Sequence, residues 1–364
     1  MDIKAAVTHD KGEDFKIEDV QLDEPKHDEV LIKIVATGVC HTDAVARDQD
    51  VPVPLPAVLG HEGAGIVEKV GDGVRTVGPG DHVVLSFSSC GHCENCHTGH
   101  PAYCLEFNKL NFGGIMNDET KRLHQDGKEL STFFGQSSFG TYAVANQRNV
   151  VKVDKEVDLE LLGPLGCGIQ TGAGTVLNKL KPKFGESIAV YGCGAVGLSA
   201  VMAAKIIGCS KIIAIDVHDS RLEMAKELGA THTINGKEVE TVEEIKNITS
   251  GGTNYAVETT SVPALAVQSV QALKPLGTSA VVGVTQETEF NVFEDIMAEG
   301  KGLVGAIEGD SVPQVFIPQL VEYYKEGKFP FDKLVKFYEM DEINQAFEES
   351  KEGKTVKPIV KFNG

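Results

Sequence analysis

Four cysteines stand at close and regular spacing in the first half of the chain: Cys90, Cys93, Cys96 and Cys104. Four thiolates at this spacing can surround one Zn²⁺ tetrahedrally, and complete coordination by the protein is typical of a structural site. The metal would stabilise a long segment, residues 86–139, that shows little hydrophobic periodicity of its own. An iron–sulfur cluster uses similar ligands, and four unpaired buried cysteines are the alternative without a metal. We expect zinc.

A second set of metal-ligand residues is scattered along the chain: Cys40, His61 and Cys167. Each lies in a glycine-flanked or turn segment, and two cysteines with one histidine can hold a zinc ion that keeps one position open for catalysis. Spacing alone makes this a weak prediction, because a single His or Cys is more often structural. Asp43 and Glu62 adjoin two of these residues and can orient or tune such ligands. Their alternative interpretation is as turn or surface carboxylates.

The pattern Gly192-x-Gly194-x-x-Gly197 lies between an apolar strand, residues 187–191, and a predicted helix. Gly192 permits the tight turn, Gly194 lets a pyrophosphate approach, and Gly197 lets the helix pack on the strand. Asp216 ends the next predicted strand, where a carboxylate binds the ribose hydroxyls of NAD and repels the 2′-phosphate of NADP. The motif therefore predicts a dinucleotide site. The alternative is a glycine-rich turn followed by a chance aspartate.

The elements around these motifs predict two domains. The first part of the chain reads as short strands with turns, whereas strands and helices alternate from about Thr171 onward, which favours a doubly wound parallel sheet. We expect a mostly β domain of residues 1–167 and 308–364, in which residues 86–139 form a zinc lobe. We expect residues 168–307 to form the dinucleotide-binding domain of this α/β protein.

Composition narrows the choice of partners. The chain has 53 acidic and 34 basic residues, a formal net charge of −19, so we expect neither nucleic acid nor a membrane surface as a partner. The N-terminus has no apolar signal region, and a cytoplasmic location is expected. In that reducing compartment the cysteines are not expected to form disulfides. We assign Cys193 and Cys209 to packing.

The motifs together resemble those of the zinc-dependent medium-chain alcohol dehydrogenases, over essentially the full chain. The stretches that carry this resemblance are residues 38–43 (GVCHTD), 60–63 (GHEG), the four-cysteine segment and the turn 192–197. Within the family the chain looks most like the bacterial aryl-alcohol (benzyl-alcohol) dehydrogenases. That closer resemblance rests on residues 52–63, 165–174 and 327–332.

The resemblance implies a GroES-like catalytic domain, a Rossmann domain, two zinc ions per chain and NAD. Cys40, His61 and Cys167 match the family's catalytic zinc ligands. Thr42 matches the hydroxyl that takes the substrate's proton. Asp43 matches the residue that supports His61, and Glu62 matches a carboxylate that can approach the metal.

The resemblance also implies the contacts of the cofactor. His41 and Lys357 fall where cationic groups face the pyrophosphate, and Thr171 and Val196 fall beside the nicotinamide. Val45 stands where many members have a histidine that ends the proton relay, a departure that the aryl-alcohol subgroup shares. A homodimer or homotetramer is expected.

The expected reaction is reversible oxidation of a primary, aromatic or allylic, alcohol to its aldehyde. Zinc would lower the pKa of the alcohol, Thr42 would pass the proton outward, and a hydride would go to NAD. Phe87, Val45 and Val51 are candidates for the substrate pocket or for ordinary core. One alternative is an aliphatic or glutathione-adduct (formaldehyde) alcohol dehydrogenase of the same family. The alternative of another class is an inactive nucleotide-binding homologue.

Overall fold

The structure is a computed structural model that describes residues 1–362. The strands of this part of the chain are β1 Asp2–Thr8, β2 Lys16–Leu22, β3 Glu29–Gly38, β4 Ala57–Val58, β5 Gly63–Val70, β6 His82–Leu85, β7 Leu123–Gln125, β8 Lys128–Leu130, β9 Tyr142–Asn146, β10 Val150–Lys152, β11 Ser187–Tyr191, β12 Lys211–Asp216, β13 His232–Asn235, β14 Thr253–Glu258, β15 Leu273–Val281, β16 Gly302–Gly305, β17 Val335–Glu339 and β18 Lys357–Lys361.

The α-helices of the same residues are α1 His41–Arg47, α2 Glu94–His97, α3 Phe107–Phe112, α4 Gly168–Gly174, α5 Ala195–Ile207, α6 Asp219–Leu228, α7 Thr241–Thr249, α8 Pro263–Gln271, α9 Pro313–Lys325 and α10 Ile343–Lys351. Short 3-10 turns and two π-helical turns lie between them. Within residues 1–362 none of the helices combines the length and the apolar character that crossing a membrane requires.

The contacts divide the chain into two compact units. The first unit comprises Met1–Gly168, Val312–Lys325 and the segment from Phe331 onward, and the second comprises Ile169–Ser311 with Glu326–Pro330. That these units are separate domains with the limits expected from the sequence stays a proposal.

The first unit is built on two largely antiparallel sheets. One sheet has the order β4-β1-β2-β7-β8, and the other has the order β10-β6-β5-β3-β18-β17, with β9 also paired to β3. Strand β3 is the longest and has apolar, mostly buried side chains along its length, so it lies in the core with neighbours on both edges. Because β18 pairs with the end of β3, Lys357 at the start of β18 is brought beside Val39.

The second unit is a six-stranded parallel sheet with the order β13-β12-β11-β14-β15-β16. The order reverses after β11, and in such sheets ligands bind beyond the carboxyl ends of the strands at the point of reversal. Strands β11 and β12 are almost continuous runs of buried apolar residues, as expected for a parallel sheet covered on both faces. The predicted doubly wound sheet is therefore confirmed.

One predicted helix differs in detail. The sequence predicts a helix from Thr171 to Leu180, whereas α4 begins at Gly168 and changes at Thr175 into a π-helical turn. The hydroxyl of Thr175 donates to the carbonyl oxygen of Thr171 at 2.7 Å. Such a back-bond competes for the carbonyl oxygen that the next turn of an α-helix uses, and it is a local cause of the change.

Candidate active site

The structure brings Cys40, His61 and Cys167 together in the first unit. Cys40 caps the start of α1, His61 precedes β5, and Cys167 follows a 3-10 turn formed by Gly163–Gly166. The two sulfurs, a ring nitrogen of His61 and a carboxylate oxygen of Glu62 all lie within 4.8 Å of one another. Residues that are far apart in the chain therefore form one compact, mostly buried donor set.

The orientation of His61 fits a metal ligand. Its Nδ1 lies 2.9 Å from Asp43 Oδ1, and Asp43 also accepts hydrogen bonds from the backbone N–H groups of Cys40 and Gly60, each at 3.0 Å. His61 Nε2 is then buried and has no hydrogen-bond partner. A buried polar atom without a partner is costly, and here it faces two thiols, so a divalent metal would satisfy it.

The charges around the donor set favour the thiolate form of Cys40. The hydrogen bond with Cys167 and the positive charge of Lys357 hold the pKa of Cys40 well below its ordinary value, although burial opposes them. Burial alone would lower the pKa of His61, but the carboxylate of Asp43 raises it well above the usual range. A bound metal would displace this proton, because histidine binds a metal as neutral imidazole. A thiolate is the form in which cysteine binds a metal, so the donor set suits zinc.

Glu62 and Lys357 form a buried ion pair beside the donor set. Lys357 Nζ lies 2.6 Å from Glu62 Oε2 and donates to Glu62 Oε1 at 2.7 Å and to the carbonyl oxygen of Val39 at 3.1 Å. Glu62 Oε1 also accepts from the N–H of Gly168 at 2.9 Å. Burial raises the pKa of Glu62 to about 7, against the opposing effect of Lys357. The sequence associates Lys357 with the pyrophosphate; the structure places its ammonium against Glu62, and the cofactor contact stays a prediction.

The predicted proton acceptor lies next to a ligand. Thr42 is half-buried on the first turn of α1, and its Oγ1 lies 3.7 Å from Cys40 Sγ. His41, the residue before it, is exposed and lines a cavity of about 500 Å³ that also includes Cys40 and Arg47.

Aromatic side chains surround one side of His61. The ring of Phe134 lies 4.6 Å from the imidazole, tilted by 31°, and Phe133 meets it edge-on at 5.4 Å. Phe87 is buried in the same cluster through Phe107. Phe87 is one of the residues that the sequence suggests for the pocket, whereas Phe133 and Phe134 are not. Their adjacency in a glycine-containing segment is the only signal that the sequence offers for them.

The four lobe cysteines also form a closed donor set. All four sulfurs lie within 4.8 Å of one another, with 3.5 Å between those of Cys93 and Cys96. Backbone N–H groups donate to these sulfurs, including Cys90 N to Cys104 Sγ and Cys93 N to Cys90 Sγ, each at 3.3 Å. Hydrogen bonds from the backbone hold the pKa of Cys93 at about 6, whereas burial raises that of Cys104 to about 12. This arrangement suits a structural zinc ion with no open position.

The glycine turn of the second unit has the shape of a phosphate cradle. Gly192 follows β11 with φ of +89°, a conformation that other residues rarely adopt. A side chain on Gly197 would lie 1.8 Å from the carbonyl oxygen of Gly192, so only glycine allows this close approach. No atom lies within 4 Å of a side chain placed on Gly194, which caps α5 and leaves space for a ligand at the helix N-terminus.

Asp216 lies beside this turn at the end of β12. Its carboxylate accepts hydrogen bonds from the N–H groups of Cys193 at 2.7 Å, Val217 at 2.7 Å and His218 at 2.9 Å. A cavity of about 340 Å³ opens here, lined by Gly192 and Asp216 among others. Its size and position fit the adenosine half of a dinucleotide.

The two residues predicted to lie beside the nicotinamide belong to neighbouring helices of the second unit. Thr171 lies on α4 and is 8% exposed, and Val196 lies half-buried on the first turn of α5. The helices approach closely, because a side chain on Gly172 would lie 1.9 Å from the carbonyl oxygen of Val196. A nicotinamide contact at Thr171 and Val196 stays a prediction.

Two family models match successive parts of the chain. Residues 26–155 match the family model described as alcohol dehydrogenase GroES-like domain, and residues 195–324 match the zinc-binding dehydrogenase model. The chain is 46% identical to a geraniol dehydrogenase of Castellaniella defragrans, over 99% of this chain and 97% of that protein.

Two solved structures are also similar over the full length of both chains. One is an alcohol dehydrogenase zinc-binding domain protein from Burkholderia ambifaria, with 53% identity and a TM-score of 0.98. The other is a benzyl alcohol dehydrogenase from Acinetobacter calcoaceticus, with 52% identity and a TM-score of 0.96. Because the identity extends over nearly the whole chain and both family models match in order, this protein belongs to the zinc-binding alcohol dehydrogenases.

Proposed function

We propose that this enzyme oxidises a primary aromatic or allylic alcohol to its aldehyde, transfers the hydride to NAD, and binds two zinc ions per chain. The observation that carries the proposal is the buried donor set of Cys40, His61 and Cys167, in which His61 Nε2 has no hydrogen-bond partner. Three protein ligands leave a fourth tetrahedral position open for the alcohol oxygen. The second zinc ion belongs to the four lobe cysteines.

The side chains of the first unit have separate tasks in this reaction. Bound zinc supplies a Lewis acid that polarises the alcohol oxygen, and bound nicotinamide supplies the hydride acceptor. Asp43 holds His61 in the orientation that presents Nε2 to the metal. Thr42 is the first acceptor of the alcohol proton, because its hydroxyl lies beside the Cys40 ligand. The ammonium of Lys357 balances the negative charge of the buried Glu62 carboxylate.

The substrate class rests on two observations. Relatives at about half identity carry the names geraniol dehydrogenase and benzyl alcohol dehydrogenase, an allylic and an aromatic alcohol. Phenylalanine rings also surround one side of the His61 ligand, and apolar aromatic surroundings favour flat, unsaturated substrates over polyols.

The choice of NAD rests on Asp216. Its carboxylate ends β12 beside the glycine turn, and it would accept hydrogen bonds from ribose hydroxyls. The 2′-phosphate of NADP would meet the same negative charge and be repelled.

We further propose a homodimer that forms through β16. This strand is at the edge of the six-stranded sheet, with β15 as its one neighbour within residues 1–362. Large apolar side chains are exposed on the same unit: Leu276 (82% exposed), Val292 (63%), Phe293 (62%), Met297 (64%) and Leu303 (37%). An open edge strand can pair with its copy across a two-fold axis and bury such residues. We also propose a cytoplasmic location, in which the eight free cysteines stay reduced.

Steady-state assays test the reaction directly. The purified enzyme is supplied with NAD or NADP and with benzyl alcohol, geraniol, ethanol, a polyol, or formaldehyde with glutathione. We expect the highest kcat/KM for benzyl alcohol or geraniol with NAD. A higher kcat/KM for ethanol or for the glutathione adduct would overturn the substrate class. No turnover of any alcohol would indicate an inactive homologue.

A further inference from the structure

A continuous hydrogen-bonded path joins the backbones at two of the proposed metal ligands. The side-chain amide of Gln136 donates from Nε2 to the carbonyl oxygen of His61 at 3.1 Å and to that of Ser86 at 3.0 Å. The hydroxyl of Ser86 donates to the carbonyl oxygen of Gly166, the residue before Cys167, at 2.7 Å. Gln136 is 1% exposed and Ser86 is fully buried, so water does not replace these bonds.

We propose that Gln136 and Ser86 are positioning residues that set the separation between the ligands His61 and Cys167. This inference rests on the proposed catalytic metal site. The segments that carry the two ligands come from distant parts of the chain, and neither ligand is bonded to the other through secondary structure. The Gln136–Ser86 bridge connects these segments in addition to Glu62, whose Oε1 accepts from the N–H of Gly168 at 2.9 Å.

The segment that supplies Gln136 is itself held rigidly. Phe134 and Ser137 have φ of +51°, a left-handed conformation that residues other than glycine adopt only where their surroundings hold them. The ring of Phe134 contacts that of His61 at a tilt of 31°, and the hydroxyl of Ser137 donates to the carbonyl oxygen of Val58 at 2.7 Å. Gln136 Oε1 also accepts from the N–H of Gly63 at 3.3 Å. Both the oxygen and the nitrogen of the Gln136 amide therefore have partners, which hold the amide in one orientation so that it can position a ligand.

The bridge predicts an effect on metal retention that loss of stability alone would not produce. Gln136→Met keeps the side-chain volume but removes all three hydrogen bonds of the amide, and Ser86→Ala removes the bond from the Ser86 hydroxyl to the carbonyl oxygen of Gly166. Residues that support metal ligands typically alter metal affinity by about 10–100-fold when they are replaced. We expect each variant to release the catalytic metal at least about tenfold faster than the wild type.

The double variant distinguishes a bridge from two independent supports. If both residues belong to one path, breaking it twice costs little more than breaking it once, so the effects on the release rate are not multiplicative. Ser138→Ala is the matched control, because its buried hydroxyl bonds only to Thr37 Oγ1, at 2.9 Å. We expect this control to lower the melting temperature comparably but to retain the metal as the wild type does.

The measurement uses the full-length enzyme with Co²⁺ in the catalytic site and Zn²⁺ in the lobe. Loss of the cobalt–thiolate absorption in excess chelator gives the release rate, and metal analysis gives the number of ions per chain. Should Gln136→Met fail to fold, Ser86→Ala still decides the question. Release no faster than in Ser138→Ala, or multiplicative effects in the double variant, would overturn the bridge. A wild type that binds only the lobe metal would instead overturn the proposed catalytic site.

Discussion

Lys357 Nζ lies 2.6 Å from Glu62 Oε2, and the side chains of both residues are almost completely buried. The two residues lie 295 positions apart in the chain, and the pairing of β18 with β3 brings them together. Removing one partner of a buried ion pair leaves an uncompensated charge, which is more damaging than removing both. The stability of the first unit therefore depends on keeping both charges of this pair, which lies beside the proposed metal ligands.

Replacing Lys357 by methionine should destabilise the protein. At a pH at which Glu62 is ionised, its carboxylate would remain buried without its cation, and the free energy of unfolding should fall by about 3–5 kcal/mol. The pKa of Glu62, already raised to about 7 by burial, should rise further. Denaturant unfolding measures the loss, with Lys357→Arg as the charge-conserving control, which should lose less. Equal stability of Lys357→Met and the wild type would contradict this account of the pair.

Replacing Cys167 by alanine should remove the catalytic zinc and abolish turnover. The variant should bind one zinc ion per chain in place of two, because the lobe cysteines form a separate donor set. NADH should still bind, since the glycine turn and Asp216 lie in the second unit. Metal analysis and NADH fluorescence measure both effects. Cys209→Ala, which removes a buried thiol outside either donor set, should keep two zinc ions and full activity; an active Cys167→Ala enzyme would refute the zinc assignment.

Replacing Asp216 by asparagine should weaken the preference for NAD over NADP. The variant keeps the side-chain shape and an oxygen for the N–H groups of Val217 and His218, but it loses the acceptor of the Cys193 N–H and the charge that repels a 2′-phosphate. We expect the ratio of kcat/KM for NAD to that for NADP to fall about tenfold, equivalent to about 1.4 kcal/mol. Asp219→Asn, a neighbouring carboxylate on α6, should leave the ratio unchanged. An unaltered ratio in Asp216→Asn would assign cofactor choice to other residues.

Placing a lysine at Leu303 should dissociate the proposed dimer. Leu303 lies on the edge strand β16, and a charge on such an edge opposes pairing with a second copy. Light scattering after gel filtration should give the mass of two chains for the wild type and one chain for Leu303→Lys. Val315→Lys alters an exposed apolar residue of the first unit, 67% exposed, and should remain dimeric. A dimeric Leu303→Lys protein would place the interface elsewhere.

Glu349 should contribute to the acid sensitivity of the first unit. Hydrogen bonds from Gln345, Lys336 and Tyr338 lower its pKa from 4.5 to about 2. Because the pKa in the folded protein lies below that of the unfolded chain, the stabilisation is complete above pH 4.5 and is lost as the pH falls from 4.5 toward 2.

Unfolding experiments across that pH range test the assignment. The wild type should lose more stability between pH 4.5 and 2 than Glu349→Gln, which has no carboxylate at that position to protonate. Glu348→Gln, on the same helix, should follow the wild type. Parallel pH curves for the wild type and Glu349→Gln would contradict the role of this carboxylate.

Local patterns in the chain were sufficient to predict the second unit and the composition of the lobe. The turn Gly192–Gly197, the strand before it and Asp216 follow one another within a short stretch, so hydrophobic periodicity and glycine spacing indicate both the sheet and its ligand edge. The four lobe cysteines are equally local. In such segments the residues that act together are also neighbours in sequence.

The residues of the metal site in the first unit are not neighbours in sequence. Cys40, His61 and Cys167 have no common spacing, so their residue types and turn contexts supported a joint metal site only weakly, and the resemblance to known dehydrogenases strengthened that prediction. The sequence offers no signal that a single glutamine, Gln136, would reach the backbone of His61, or that Lys357 would be buried against Glu62.

The amino-acid sequence thus specified which chemical groups the protein possesses. They are two cysteine-containing donor sets, a glycine turn and the carboxylate of Asp216 at the end of β12. The tertiary structure decided which of them meet. Antiparallel pairing of β3 with β5 and with β18 brings segments from the start and the end of the chain to one place. Burial there removes water, so side chains such as Asp43, Gln136 and Lys357 take its place as partners for the polar groups of the site. Long-range pairing and desolvation depend on the whole fold, and a local pattern does not contain them.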